Sequence, residues 1–119
     1  MKPFLLVALG GGAGAVCRYA LTLLPISGRF PFATLIANAL GALIIGFLAG
    51  CAIQLDSFPA NLNLLLKTGF CGGFTTFSTF AYETGSMMEK GQTGLALLYV
   101  VLSAVLGVLA VFAGQLTVR

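Results

Sequence analysis

The residues most able to do chemistry lie together in one apolar stretch, residues 69–80, which reads GFCGGFTTFSTF. The Gly72-Gly73 pair weakens a helix, and the Thr and Ser hydroxyls that follow compete for backbone groups. We therefore expect a helix break near residues 72–76. A break frees carbonyl groups that can hold a cation and N–H groups that favour an anion. The alternative is a continuous helix whose glycines pack tightly against a neighbour.

Beyond the expected break, helical spacing sorts the residues into two neighbouring stripes. Phe77 and Phe80 share one face, while Thr76, Thr79 and Glu83 share the next. Such stripes are consistent with ordinary packing and with hydroxyls bonded to their own helix. They would also supply hydroxyl donors and ring edges, whose partial positive charge can face an anion.

Other polar residues lie inside the remaining apolar stretches. Asn38 lies about 9 Å along its predicted helix, at a rise of about 1.5 Å per residue. It either makes an interhelical hydrogen bond or lines a polar path, and its position favours neither. Tyr99, with Ser103 one turn further on the same face, marks either such a path or the membrane interface. Arg18 either snorkels to the interface or raises the potential at an anion entrance.

The stretches that carry these residues are predicted to be membrane-spanning helices. The 119 residues have a mean hydropathy of +1.06, and only 8% are charged, whereas a soluble domain has about a quarter. A spanning helix needs about 20 mostly apolar residues. Four stretches bounded by turn residues qualify: residues 4–24, 32–55, 62–84 and 93–116. The predicted fold is an all-α membrane protein with one domain over 1–119 and a third helix broken mid-membrane.

The basic residues divide equally between the two ends of these predicted helices. Three lie on each side: Lys2, Lys67 and Arg119 on the side of the N-terminus, and Arg18, Arg29 and Lys90 opposite. Since orientation follows the excess of Lys and Arg on one side, this count favours neither orientation. Such a chain can insert both ways and pair as an antiparallel, dual-topology homodimer. The alternative is an orientation fixed by other signals.

The composition argues against an enzyme and against nucleic-acid binding. The chain has no His and no paired carboxylates, so it lacks the usual groups for acid–base or metal catalysis. Its net charge of +3 is small, and we expect no nucleic-acid partner. A dinucleotide-loop pattern beginning at Gly12 fails because Cys17 occupies its last glycine position. The glycines at 10–14 are instead interpreted as close helix packing.

Three motifs resemble the CrcB or Fluc family of fluoride channels: residues 11–19 (GGAGAVCRY), 34–41 (TLIANALG) and 72–80 (GGFTTFSTF). The third motif is highly specific, and the likeness spans the whole chain. It implies a fluoride-selective channel that exports fluoride from the cytoplasm. It also implies a multi-pass protein of the bacterial inner membrane, assembled as an antiparallel homodimer with two pores. The expected partners are fluoride, a second copy of the chain and membrane lipid.

The resemblance also implies roles for particular residues. Asn38 would line the pore, Phe77 and Phe80 would point ring edges at the ion, and the carbonyls of Gly72 and Thr75 would hold a structural sodium ion. Further positions match a polar track and a carboxylate near its end: Thr79, Ser78, Tyr99 and Ser103, with Glu83 as the carboxylate. Gly107 departs from relatives that carry another hydroxyl there.

The alternative function is proton-coupled export of cationic drugs by a small multidrug-type transporter. Such proteins also have four short helices and dual topology. Their mechanism needs a carboxylate in the middle of the first helix, and residues 4–24 contain no Asp or Glu. A third possibility is a structural subunit whose polar residues only join helices.

Overall fold

The computed structural model describes all residues, Met1 to Arg119, and is entirely helical. Two helices, α1 (Lys2–Thr22) and α2 (Phe32–Gln54), are followed by the short α3 (Ala60–Asn63). A π-helical segment (Leu64–Cys71) continues α3 and leads into α4 (Gly72–Phe74). The chain then forms α5 (Phe77–Glu89) and α6 (Thr93–Leu116). Three of these helices, α1, α2 and α6, are long and apolar enough to cross a membrane.

The third predicted helix is broken, as the glycine and hydroxyl pairs of the sequence indicated. Its predicted range of 62–84 is too short, because helical structure begins at Ala60 and continues to Glu89. The interruption is confined to Thr75 and Thr76, whereas Gly72 and Gly73 are helical. We call residues 60–74 the first half-helix and α5 the second half-helix.

The π-helical segment was not predicted. Wide turns of this kind occur mostly as single-turn bulges and often near functional sites. Here they fill most of the first half-helix and lie immediately before the break. No residue pattern between Leu64 and Cys71 signals a π-helix, and this segment packs closely against α1 at Gly10.

α1 packs against the first half-helix through glycines. A Cβ atom on Gly10 would meet the carbonyl oxygen of Leu65, and one on Gly14 would meet that of Phe70. These contacts advance together along both elements, so the two helices run in the same direction. The interpretation of residues 10–14 as a packing motif is therefore confirmed.

A second glycine-lined contact joins α2 and α6. A Cβ atom on Gly46 would meet the carbonyl oxygen of Val111, and one on Gly114 would meet that of Leu43. The small side chains let these backbones approach closely, as small residues do between membrane helices. α2 and α6 also run in the same direction, and α5 packs against the first part of α6.

The outer surface of the bundle is apolar, and the buried core is small. Large side chains such as Phe4, Leu9 and Phe112 are exposed on α1 and α6. The core cluster contains Leu35, Met87, Ala96 and Tyr99, with Phe80 packed against it. Because apolar helix faces that lack a protein neighbour require lipid, this surface is that of a membrane protein.

Candidate functional site

The break in the third helix is held open by the side chain of Asn38. Thr75 and Thr76 both leave helical geometry, with φ/ψ of −88°/156° and −151°/125°. Asn38 Nδ2 donates to the Thr76 carbonyl over 3.1 Å, and the Thr76 N–H donates to Asn38 Oδ1 over 2.8 Å. The amide thus pairs with both backbone groups of one non-helical residue. Since unpaired backbone groups are costly in an apolar medium, this pairing stabilises the break.

Several carbonyl groups lose their helical donors at this break, those of Gly72 and Thr75 among them. In a continuous helix, the N–H of Thr76 would bond to Gly72 O, but it donates to Asn38 instead. Likewise, the N–H of Thr79 would bond to Thr75 O, but it donates to Thr76 Oγ1 over 3.3 Å. Two of the released oxygens therefore belong to Gly72 and Thr75, the residues that the family resemblance assigned to a sodium ion.

Thr76 also begins the second half-helix. Its hydroxyl accepts the hydrogen bond from Thr79 in the manner of an N-cap. The first N–H groups of a helix have no acceptor within that helix and carry its positive dipole end. The backbone at Phe77 and Ser78 therefore presents donors beside the break.

Arg18 contacts the break from α1. Its Nε donates to the carbonyl oxygen of Gly73 over 3.1 Å, and the side chain is half-buried. This carbonyl would bond to the N–H of Phe77 in an unbroken helix. The guanidinium thus supplies a hydrogen-bond donor to a released carbonyl. The sequence had suggested either snorkelling or an entrance role for Arg18, and neither includes this contact.

A cavity of about 400 Å³ lies directly beside the break. Its polar lining comes from Asn38, Thr75, Thr76 and Ser103, and its aromatic lining comes from Phe77 and Phe80. The Ser103 hydroxyl oxygen is buried and has no hydrogen-bond partner within the chain. Because a buried hydroxyl without a partner is destabilising, this donor is available to a ligand or a water molecule.

The two phenylalanines of the cavity have different surroundings. Phe77 is 78% exposed, whereas Phe80 packs against the core cluster. Their ring centroids are 5.9 Å apart with planes tilted by 49°. Phe80 also lies 5.0 Å from the ring of Tyr99. The face that carries Phe77 is therefore open in the single chain, while Phe80 is fixed by its neighbours.

Glu83 lies at the centre of a hydrogen-bonded group beyond Phe80. Its Oε1 accepts from the hydroxyl of Tyr99 over 2.8 Å, and its Oε2 accepts from Thr34 Oγ1 over 3.0 Å. Tyr99 is fully buried, at 0% exposure, so it does not mark the membrane interface. Three helices, α2, α5 and α6, are joined through this one carboxylate.

The structure brings together some of the predicted site residues and separates others. Asn38, Phe77, Phe80 and Ser103 line one cavity together with Thr75. Glu83 and Tyr99 form the neighbouring hydrogen-bonded group. Four further residues belong to neither group: Gly72 and Ser78, which are exposed, Thr79, which is half-buried, and Arg18, which lies on the α1 side of the break.

Sequence reasoning missed two functional contributions, those of Thr34 and of the Thr76 backbone. Thr34 precedes Asn38 by four residues, so both lie on the same face of α2. That spacing was a usable signal for a second polar position on this helix. The pairing of Asn38 with Thr76 joins residues 38 positions apart, and no local pattern could indicate it.

These features define an all-helical, multi-pass membrane protein with a polar cavity at a broken helix. Over residues 5–115 the chain matches the family described as CrcB-like protein, Camphor Resistance (CrcB). The chain belongs to this family, and the resemblance seen in its motifs is confirmed.

Relatives from bacteria and archaea match the chain over nearly its whole length. It is 48% identical to a Chlorobaculum tepidum protein named fluoride-specific ion channel FluC, over 100% of the chain and 96% of the relative. A Clostridium perfringens protein of the same name is 42% identical, over 97% of the chain and 92% of the relative. One from Pyrococcus abyssi is 38% identical, over 100% of the chain and 98% of the relative.

Proposed function

We propose that this protein is a fluoride-selective ion channel, not an enzyme, and that it lowers fluoride toxicity by passive export from the cytoplasm. The observation that carries the proposal is the cavity at the break. It combines the Asn38 amide, the unpartnered Ser103 hydroxyl and the rings of Phe77 and Phe80. Membership of the CrcB family and relatives named as fluoride channels support the same conclusion.

The cavity lining matches what a small, strongly hydrated anion requires. Fluoride must exchange its water for other hydrogen-bond donors, and hydroxyl, amide and backbone N–H groups provide them. The positive edges of aromatic rings add electrostatic attraction without binding the ion too tightly. No carboxylate lines the cavity, and the nearby Glu83 carboxylate already accepts hydrogen bonds from two donors.

The active assembly that we propose is a homodimer. In a single chain the cavity is open at the exposed Phe77, which would leave its polar lining at Asn38 and Thr76 uncovered by protein. Polar groups at membrane depth are tolerated only when protein or water covers them. A second copy of the chain would close the cavity and remove this exposure.

We propose four membrane crossings, with the broken helix as one of them. The first half-helix of 15 residues and the second of 13 together extend about 42 Å at about 1.5 Å per residue. This exceeds the hydrocarbon thickness of about 30 Å. In an antiparallel dimer of the bacterial inner membrane, a tag on one terminus should be detected on both faces. A tag found on one face only would contradict dual topology.

We also propose a structural sodium ion at the centre of this dimer. The carbonyls of Gly72 and Thr75 have lost their helical donors, and unwound carbonyls are typical ligands of sodium in membrane proteins. A Cβ atom on Gly72 would meet nothing within 4 Å, so this side of the break is open to a partner subunit. When bound, the ion would link the released carbonyls of both subunits.

The sodium proposal is tested by the stability of the purified dimer in different salts. We expect a higher thermal midpoint in sodium chloride than in the chloride of a large organic cation at equal ionic strength. The Gly72 and Thr75 carbonyls cannot be deleted by substitution, so ion exchange is the direct approach. Identical midpoints in both salts would contradict a bound sodium ion.

The channel proposal is tested by fluoride efflux from liposomes that contain only the purified protein. A fluoride electrode should record rapid efflux, and chloride-loaded liposomes should release little chloride under the same conditions. Transport by the protein alone would also exclude a purely structural subunit. A proton-coupled drug exporter would instead show no fluoride efflux and would acidify or alkalinise the lumen when a cationic drug is added.

A further inference from the structure

A second polar cavity, of about 200 Å³, lies between the α1–α2 loop and the last turns of α5. Ser27 and Arg29 contribute to its wall from the loop, and Glu83, Ser86 and Lys90 contribute from α5. Family resemblance assigned no role to Ser27, Arg29, Ser86 or Lys90. The cavity therefore contains two cationic side chains, Arg29 and Lys90, that have no role in the channel as proposed so far.

The single carboxylate of this cavity is engaged elsewhere. Glu83 receives hydrogen bonds from Thr34 Oγ1 and Tyr99 Oη, both of which are neutral donors, and not from Arg29 or Lys90. The two cations outnumber the carboxylate and both are exposed. The cavity thus has an excess of positive charge at the point where α5 reaches the end of the bundle.

Hydroxyl groups complement the cations. Ser27 Oγ accepts a hydrogen bond from the N–H of Ala33 over 3.0 Å, so its own proton remains available to donate. The Ser86 hydroxyl also lies in the wall. Cations with nearby hydroxyl donors form a suitable environment for a small, hydrated monovalent anion.

The cavity is connected to the break by contacts between side chains. Phe80, which lines the cavity at the break, lies 5.0 Å from the ring of Tyr99. The Tyr99 hydroxyl bonds to Glu83 over 2.8 Å, and Glu83 lines the second cavity. One line of contacts, Phe80–Tyr99–Glu83, therefore joins the two cavities through the bundle.

We propose that this second cavity is the mouth of the anion pathway, where Arg29 and Lys90 concentrate small monovalent anions. The inference rests on the proposed channel function and extends it to two residues of this chain. Positively charged clefts raise local anion concentration and entry rates by about 10- to 1,000-fold. Salt screens this effect, because the Debye length falls to about 3 Å at about 1 M salt.

The test compares initial fluoride efflux for the wild type and for the Arg29→Gln/Lys90→Gln double variant. Fluoride is kept well below saturation, so that entry limits the rate, and the liposomes contain only zwitterionic lipid. We expect the double variant to be about 10-fold slower at low ionic strength, the lower end of the expected range. In potassium glutamate at about 1 M, with sodium held constant, the two rates should converge.

Two control variants isolate the position and the sign of the charge. Lys2→Gln/Lys67→Gln removes the same charge from residues that line neither cavity, and it should match the wild type at all ionic strengths. Arg29→Lys/Lys90→Arg keeps both charges and should retain wild-type efflux. Each neutralising double variant leaves one basic residue on one side of the bundle and three on the other, which can bias orientation. Rates are therefore compared only between variants whose gel-filtration profile and terminal-tag accessibility match those of the wild type.

The possible outcomes separate this inference from the proposed function. If the wild type carries no fluoride, the channel proposal itself fails. If the wild type conducts and Arg29→Gln/Lys90→Gln has the same rate and the same salt dependence, the mouth proposal is wrong. A defect that persists in concentrated potassium glutamate would show a structural role and would also overturn it. So would a defect seen only after anionic lipid is added, because the cations would then be acting on headgroups.

Discussion

The contact between α2 and α6 changes character along its length. Near the start of both helices it carries Thr34, Asn38, Tyr99 and Ser103, and it faces the break. Further along, the same two helices meet through Gly46 and Gly114 and enclose an entirely apolar groove. Because α2 and α6 run in the same direction, the polar residues lie together at one height of the bundle, which we call the polar level. Gly46 and Gly114 lie at another height, which we call the apolar level.

This difference predicts that transport and the stability of the helix bundle rest on separate parts of the same helices. At the apolar level, close backbone approach supplies van der Waals contact, the main stabilising interaction between membrane helices. At the polar level, hydrogen bonds between helices replace those that the broken backbone has lost. Substitutions at the two levels should therefore change different measurable properties, and the following experiments test that separation.

The largest effect on transport is expected from Asn38→Asp. The substitution removes the Nδ2 donor, so the Thr76 carbonyl loses its hydrogen bond from α2, and ionisation places a negative charge beside the cavity. An unsatisfied buried group costs about 1–3 kcal/mol, and about 2.7 kcal/mol corresponds to about 100-fold in rate. The range of about 1–3 kcal/mol corresponds to about 5- to 160-fold in rate. Because the added negative charge acts in the same direction, we expect fluoride efflux to fall by about 100-fold.

The matched control for this variant is Asn61→Asp. Asn61 is exposed in the short helix α3 and lines neither polar cavity. Efflux from this control should equal that of the wild type. Near-normal efflux from Asn38→Asp would mean that the amide is not needed to hold the break open.

Phe80→Ile should produce the next largest effect. Isoleucine keeps apolar bulk, and such swaps usually cost less than about 1.5 kcal/mol of stability, but the ring edge is lost. We expect efflux to fall by about 10- to 100-fold while gel filtration shows an unchanged dimer. The control Phe70→Ile alters a ring that stacks on Phe74 outside the cavity. If Phe80→Ile disrupts the dimer and Phe70→Ile does not, Phe80 is a packing residue.

Much of this polar level could be predicted from the sequence, since its residues are unusual in an apolar chain. The Gly72-Gly73 pair and the hydroxyls after it predicted a break, and the depth of Asn38 predicted a special role. The break falls at Thr75 and Thr76, where Asn38 pairs with the Thr76 backbone, and Gly73 is used for packing instead. A Cβ atom there would meet the Gly11 carbonyl.

Other features of the site could not be predicted, because they depend on contacts between distant parts of the chain. The hydrogen bond from Thr34 to Glu83 joins residues 49 positions apart. A threonine in a helix more often bonds to its own helix, as Thr84 does to the Phe80 carbonyl. The donation from Arg18 to Gly73 spans 55 positions and also depends on the packing of α1.

At the apolar level, Gly46→Ala should affect stability and leave transport intact. The new Cβ would collide with the carbonyl of Val111, and the backbones of α2 and α6 would have to separate. Overpacking of this kind costs about 1–3 kcal/mol, so the thermal midpoint of the purified protein should fall. Efflux per molecule of correctly folded protein should remain within about 2-fold of the wild type. A large loss of efflux at normal stability would show that the two levels are coupled.

The smallest effect is expected from Gly107→Ser, which lies on α6 one turn beyond Ser103. A Cβ atom at Gly107 would meet nothing within 4 Å, so the side chain fits without displacing a neighbour. Serine also has a higher helix propensity than glycine, by about 0.5 kcal/mol, and the thermal midpoint should rise slightly. The new hydroxyl would extend the polar face of Ser103, and efflux should stay within about 2-fold of the wild type.

Gly107→Ala is the control, because it adds the same Cβ without a hydroxyl. If Gly107→Ser raises efflux by more than about 5-fold over Gly107→Ala, the polar level extends further along α6 than the present contacts indicate.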